Sequence, residues 1–248
     1  MRFFKFVYLI LTVCIGVIPG GLSPVFSQDV SMGNAGTRAP SDKIFRWGIK
    51  AGTTLSQFNQ SGLTMGFNGG FIFKSRINQL LDVQAELLYM MQGSSRDDYY
   101  RSYADIGGNV TGINYMNRAV SLQSAEIPIL AILKLGSVEG SIVPKVLLGA
   151  SYGYCFAAFE RHDKHYFFSD GTEGIIGNQI ENVLSEYENH QFDAIGGFGI
   201  DFNLDNGKLF MFDIRYYYGL NDINLFKSPF VGGALYQSTL SLNFSYAF

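Results

Sequence analysis

The chain has 248 residues, a formal net charge of −3 and 16% charged residues, set against 29 glycines, 22 phenylalanines and 15 tyrosines. That balance, with no basic stripe, gives no argument for a nucleic-acid partner and none is expected, and glycine and aromatic richness with few charges fits many short strands. The length suits one barrel or one large sandwich rather than several domains.

The first residues read as a secretory leader. Arg2 and Lys5 precede an apolar run over 6–18, too short to span a bilayer comfortably as a helix. Pro19, Gly20, Gly21 and Pro24 break it, and Val25 and Ser27 suit the small-residue rule before a cleavage. We therefore expect a cleaved signal peptide over 1–27, a flexible periplasmic segment over 28–43 and a barrel domain over 44–248. Cys14 follows Val13, where a lipid-modified cysteine wants Gly, Ala or Ser. Without the leader, Cys155 is the lone cysteine and cannot staple the domain.

Eight strands follow, each with one apolar face and one small or polar face. The first covers 45–55, with Trp47, Ile49, Ala51 and Leu55 against Arg46, Gly48, Lys50 and Gly52. The second covers 65–74, with Phe67, Phe71 and Phe73 opposite Asn68 and Lys74. The third is the clearest: Leu81, Val83, Ala85, Leu87, Tyr89 and Met91 alternate with Asp82, Gln84, Glu86 and Gln92. The fourth covers 122–135, and a change of phase around Ser124, with Pro128 nearby, hints at a bulge. The fifth covers 142–156 and sets Val146, Leu148, Ala150, Tyr152 and Tyr154 against Lys145, Gly149, Ser151 and Gly153. The sixth covers 192–204, with Phe198, Ile200 and Phe202 opposite Asp193, Gly197, Gly199 and Asp201. The seventh covers 209–220, with Phe210, Phe212, Ile214, Tyr216 and Tyr218 opposite Asp213 and Arg215. The last ends the chain, with Leu240, Leu242, Phe244, Tyr246 and Phe248 two apart and small or polar residues between them.

The connections alternate in length. Short turns follow the second, fourth and sixth strands, the last holding Asn206-Gly207, a strong hairpin signal. The longest connections, 93–119 and 157–191, are expected to be external loops. Short periplasmic turns and long external loops are the pattern of outer-membrane barrels, and place both termini on the periplasmic side. Aromatics gather into two girdles: Trp47, Phe73, Phe210 and Phe248 at one rim, and Tyr89, Tyr154, Phe156, Tyr218 and Tyr236 at the other. A soluble lipocalin-type barrel would reverse the facing, with apolar residues inside. The expected fold is all-β: an eight-stranded antiparallel up-and-down transmembrane barrel.

The pieces "WGIKAGTTLSQF", "DVQAELLYMMQG", "AEIPILAILKL", "VPKVLLGASYGY", "FDAIGGFGIDF" and "FDIRYYYGLNDI" resemble the Bacteroidetes-type outer-membrane barrel family, the PorT-like or porin-family proteins. The likeness runs from Trp47 to Phe248. It implies an eight-stranded membrane barrel and no agreed activity: some members are linked to protein secretion, and no catalytic residues come with the resemblance. The terminal strand likewise resembles the barrel signature that ends in Phe, which makes Phe248 a candidate assembly signal read by the barrel assembly machinery.

The inward set contains Lys50, Glu86, Glu126, Lys134, Lys145, Asp193, Asp201, Asp213 and Arg215. An eight-stranded barrel has room for side chains but not for a water column, so these charges are expected to pair as a structural plug. A narrow ion path is the functional alternative. Gly149-Ala150-Ser151-Tyr152-Gly153 matches the G-x-S-x-G string of hydrolases, but lies inside a strand rather than at a strand-to-helix turn. A membrane-embedded lipid hydrolase is thus a second alternative. His162, Asp163, Lys164 and His165, with Glu160, could offer metal ligands, yet the spacing is loose and Lys164 would repel a cation. His190 is the third histidine, and all three lie in the longest connection. Arg96, Tyr99, Tyr100, Arg101 and Tyr103 form a composition common at binding surfaces, or an aromatic rim meeting lipopolysaccharide. The reading is a non-enzymatic barrel of the bacterial outer membrane, with no catalytic, metal or cofactor site. Its partners are outer-membrane lipid and an unidentified protein met through the external loops.

Overall fold

The period-two alternation carries through into the strands of the computed structural model, which describes residues 44–58, 62–96, 99–102, 109–135, 140–204, 207–225 and 234–248, with backbone alone for 99–102. The leader over 1–27 and the segment over 28–43 lie outside the described residues. Ten strands form in chain order: β1 (Phe45–Phe58), β2 (Thr64–Arg76), β3 (Leu81–Arg96), β4 (Tyr99–Ser102), β5 (Val110–Lys134), β6 (Ile142–Phe168), β7 (Glu173–Asn182), β8 (His190–Asn203), β9 (Leu209–Gly219) and β10 (Gln237–Ala247). Eight of them close a ring in the order β1-β2-β3-β5-β6-β8-β9-β10, with β10 pairing back onto β1 and every neighbouring pair antiparallel. Closure leaves the barrel wall with no free edge.

The wall is inverted relative to a water-soluble barrel. Leu87, Ile129, Leu148, Phe198 and Phe244 stand outward and exposed, whereas Lys50, Glu86, Lys145, Asp213 and Arg215 are buried inside. Rings collect at both rims. Trp47 packs tilted against Phe248 at 4.9 Å, and Phe202 against Phe210 at 5.9 Å, near the short turns. Phe67 meets Tyr89 at 5.4 Å, and Tyr152 meets Phe192 at 5.4 Å, at the far end.

Two expectations are modified. First, the bulge lies on β6, not on the fourth expected strand. Gln123 pairs with Ala157 and Ser124 with Cys155, so Phe156 is the extra residue. Leu122 and Val120 keep the inward phase of β5 and pack as core, which is why an apolar run there looked like a change of face. Pro128, lacking an N–H, interrupts the ladder to β3 without shifting its register. Second, the connections 93–119 and 157–191 are largely strand. β5 and β6 continue past the ring as a paired hairpin, β4 adds to the outer edge of β5, and β7 adds to that of β6. The result is a four-stranded sheet standing beyond the barrel.

The outward facing has a direct test. Leu87 is half exposed on the apolar band. Leu87→Arg should cost about 2–4 kcal/mol of folding stability in lipid vesicles, read by denaturant titration, because the charge meets hydrocarbon. Leu87→Met should be near neutral. On a surface facing water, the Arg substitution would cost nothing comparable.

Candidate functional site

Inward parity from eight strands stacks the lumen charges in layers. Nearest the short turns, Asp201 is held by Lys145 and by Lys74 at 2.6 Å, and Asp82 by Lys134 at 2.7 Å and Lys74 at 3.2 Å. The next layer centres on Arg215. Its guanidinium reaches Asp213 at 2.6 Å and Glu86 at 2.9 Å, and Lys50 Nζ meets Glu86 at 2.9 Å. Asn243 Nδ2 donates to Asp213 at 2.9 Å, and Asn68 Nδ2 donates to Asn243 at 3.0 Å. Gly197 and Gly199 create this space. A Cβ at Gly197 would lie 2.4 Å from Ile214 O, and one at Gly199 would lie 2.7 Å from the Asp213 side chain.

Seven of the nine expected network residues therefore form ion pairs. Lys74 and Asp82 belong to the network as well; the parity that exposed the others also points them inward. Glu126 and Asp193 depart from the expectation. Both are buried, and among the described residues no cation lies within 4.0 Å of either. They meet through Ser151, whose Oγ stands 3.3 Å from Glu126 and 3.1 Å from Asp193, while Ser124 Oγ donates to Glu126 at 3.3 Å. The physical reason is position: Lys50, Lys74, Lys134, Lys145 and Arg215 are engaged by Glu86, Asp82, Asp201 and Asp213 at lower levels, and small hydroxyls fill this level instead.

Ser151 thus has two carboxyl neighbours and no imidazole. His190, the first residue of β8, bonds Tyr152 through Nδ1 at 2.8 Å. Tyr152 neighbours Ser151 on the strand and therefore faces outward. The histidines in the distal sheet also part company. His162 is buried between Glu160 at 3.5 Å and Glu181 at 3.7 Å, whereas His165 turns to Glu173 at 3.0 Å.

Above the polar layers lies an apolar cap. Phe58, Leu122, Cys155, Ala158, Val183, Tyr187 and Ile223 form one buried cluster closing that end of the lumen. Arg96 lies over the Tyr187 ring at 5.5 Å. Beyond the cap, Arg118 grips Glu160 with both nitrogens, at 2.7 and 3.0 Å. Asp163 is the tie between two irregular points. It accepts a hydrogen bond from Asn117 Nδ2 at 2.9 Å and from the Asn178 backbone N–H at 2.7 Å. Both asparagines have positive φ, 52° and 55°, next to register shifts. The Asn117 and Asn178 bonds hold the Asp163 carboxyl below its ordinary range, and the Lys164 bond does the same for Glu181. On β7, Ile175 and Ile180 are each 67% exposed, and among the described residues this strand pairs only along its β6 side.

A closed antiparallel ring with an apolar exterior, aromatic bands at both rims and a buried ionic interior defines an integral barrel of the bacterial outer membrane. The family model described as "Outer membrane protein beta-barrel domain" matches residues 26–224, and the chain belongs to that family. No curated protein matches the sequence. Among solved structures, the chain is similar to Ail, the attachment invasion locus protein of Yersinia pestis, crystallised with the heparin analogue sucrose octasulfate. The two share 14% identity over 82% of this chain and 99% of that one, with a TM-score of 0.37. It is also similar to Neisserial surface protein A (13%; 82% and 97%; TM-score 0.40) and to OprG of Pseudomonas aeruginosa (10%; 82% and 94%; TM-score 0.39).

Two predictions follow from this geometry. Arg215→Met strands Glu86 and Asp213 without their shared cation and should destabilise the barrel by about 3–5 kcal/mol in unfolding titrations. The second concerns the tie between β6 and β7. Asp163 and Glu181 have depressed pKa values, so their contribution is present above the ordinary carboxylate range and is lost as pH falls through it. Hydrogen-exchange protection factors on β7 should fall below about pH 4 while the barrel amides stay protected. Asp163→Asn should show that loosening already at neutral pH.

Proposed function

We propose that the protein is a non-enzymatic outer-membrane scaffold whose sheet beyond the barrel presents a binding surface for another macromolecule. The observation that carries this reading is the sheet itself. β4, the upper parts of β5 and β6, and β7 extend beyond the apolar band, internally tied by Arg118–Glu160 and Asp163, while β7 turns Ile175, Ile176 and Ile180 to solvent. Apolar residues held on an ordered edge strand are the pattern of strand-addition recognition. The reading includes an orientation, with the sheet outside the cell and the short turns and both termini in the periplasm. It also keeps Phe248, packed on Trp47, as the assembly signal, and the narrower PorT-like kinship on the sequence pieces quoted above.

An ion-conducting porin is the second reading, favoured by the continuous run of lumen charges. The apolar cap and the mutual pairing of Lys50, Glu86, Asp213 and Arg215 weigh against it. A lipid hydrolase is weaker still, because Ser151 is buried between two carboxyls with its oxygen inside the lumen.

A photo-crosslinking residue placed at Ile176 in the native membrane should give a discrete protein adduct, while one at Ile49 on the lipid face should not. Identical adducts from both positions, or none from Ile176, would reject the binding surface. Replacing 162–180 with a short Gly-Ser linker should leave the heat-modifiable gel shift intact and remove the adduct. In planar bilayers the purified barrel should show little steady conductance; large stable channels would favour the porin.

A further inference from the structure

At the short-turn end, the lumen opens into a cavity of about 30 Å³ whose wall includes Arg46, Lys74, Arg76, Lys134, Asp82 and Asp201. Both carboxylates there are already engaged, Asp201 by Lys74 and Lys145 and Asp82 by Lys74 and Lys134. Arg46 is only 8% exposed and Arg76 is half-buried. Among the described residues, neither guanidinium has a carboxylate within 4.0 Å, although the lysines beside them all do. A guanidinium does not give up its proton, so Arg46 cannot escape its burial by neutralising. An uncompensated buried charge is costly. Five cations, counting Lys145, stand here against two carboxylates, an excess of three positive charges.

We propose that this cavity binds an anion of the phosphate class, with Arg46 as its principal ligand and Arg76 at the rim. The charge excess favours a phosphate dianion over a single carboxylate. The planar fork of Arg46 suits two phosphoryl oxygens. The volume matches, since about 30 Å³ is room for roughly two water-sized oxygens, and the rest of the group would project through the mouth past exposed Ile44. The phosphoryl group could be free phosphate or the headgroup of a lipid beside the barrel rim, as both meet the same ligands.

The test uses the full-length protein in a non-ionic detergent. Its melting temperature is followed against inorganic phosphate, against dioctanoyl phosphatidic acid, and against sodium chloride at matched ionic strength. The wild type should be stabilised by a phosphoryl ligand beyond the chloride control. Arg46→Gln should weaken that apparent affinity by about tenfold or more, and should itself melt higher than wild type in phosphate-free buffer, because the unpaired charge is gone. Stabilisation by phosphatidic acid alone assigns the site to a lipid headgroup; stabilisation by both assigns it to the phosphoryl group from either source. No stabilisation beyond chloride by either ligand overturns the proposal, as does equal stabilisation of Arg46→Gln. Where that variant does not fold, Arg76→Gln decides: weaker binding supports the site, and unchanged binding overturns it.

Discussion

A strand in hydrocarbon has no water to satisfy its backbone, so every ladder must close. The structure meets this requirement where β10 pairs with β1, from Gly48 opposite Ala247 to Phe58 opposite Gln237. Once the ring closes with eight strands, its lumen is too narrow for water and must be filled by side chains. The lipid face must be apolar, while the inward positions hold charged residues together with apolar ones such as Leu88, Met90, Leu130, Ile132 and Leu147. The charges inside are tolerable where they find an opposite. Arg215 between Asp213 and Glu86, with Lys50 completing the set, shows how tightly this is satisfied at mid-lumen.

The barrel wall was legible because lipid imposes a strict two-residue rhythm. Asp82, Gln84 and Glu86 inside, with Val83, Ala85 and Leu87 outside, read directly from the chain, and the ring of eight follows from counting such segments. The distal sheet was not legible, for the same reason. Beyond the membrane no face must be apolar, and β7 carries Ile175 and Ile176 side by side among Gly174, Gly177 and Asn178, a composition that looks like a turn-rich loop. What holds it is not periodicity but specific bonds, Asp163 to Asn117 and Asn178 above all. Nothing in the sequence marks those partners in advance. The lumen shows the same division. Parity tells which residues point inward, but not that Lys74 would bridge Asp82 and Asp201, nor that Glu126 and Asp193 would share a serine instead of a cation.

The two ends of the lumen are built differently. At the distal end the apolar cluster around Phe58, Cys155 and Tyr187 seals the barrel and seats the sheet above it. At the short-turn end a smaller cluster of Ile72, Leu209, Met211 and Ala247 packs beside the cavity, with Leu209 in its wall, but charged groups reach the mouth. A conduit would need comparable access at both ends. The cap packs β1, β5, β6 and the segment around Tyr187 into one body, the one-sided rigid support that the proposed scaffold role requires.

Along the barrel axis the formal charges are segregated. Arg46, Lys74, Arg76, Lys134 and Lys145 outnumber Asp82 and Asp201 near the short turns; Lys50 and Arg215 balance Glu86 and Asp213 at the centre; Glu126 and Asp193 stand alone towards the cap. Pairing alone would scatter the signs, since any cation can be placed opposite any anion across so small a lumen. Segregation leaves an unmet positive charge at one end, costly in a low-dielectric interior, and a pair of carboxyls without a cation at the other. The carboxyl pair is sealed under the cap, where the Ser124 and Ser151 hydroxyls meet it. The positive end is open, so the imbalance that pairing within the chain leaves unresolved is exposed where an anion from solution or from the lipid surface can reach it.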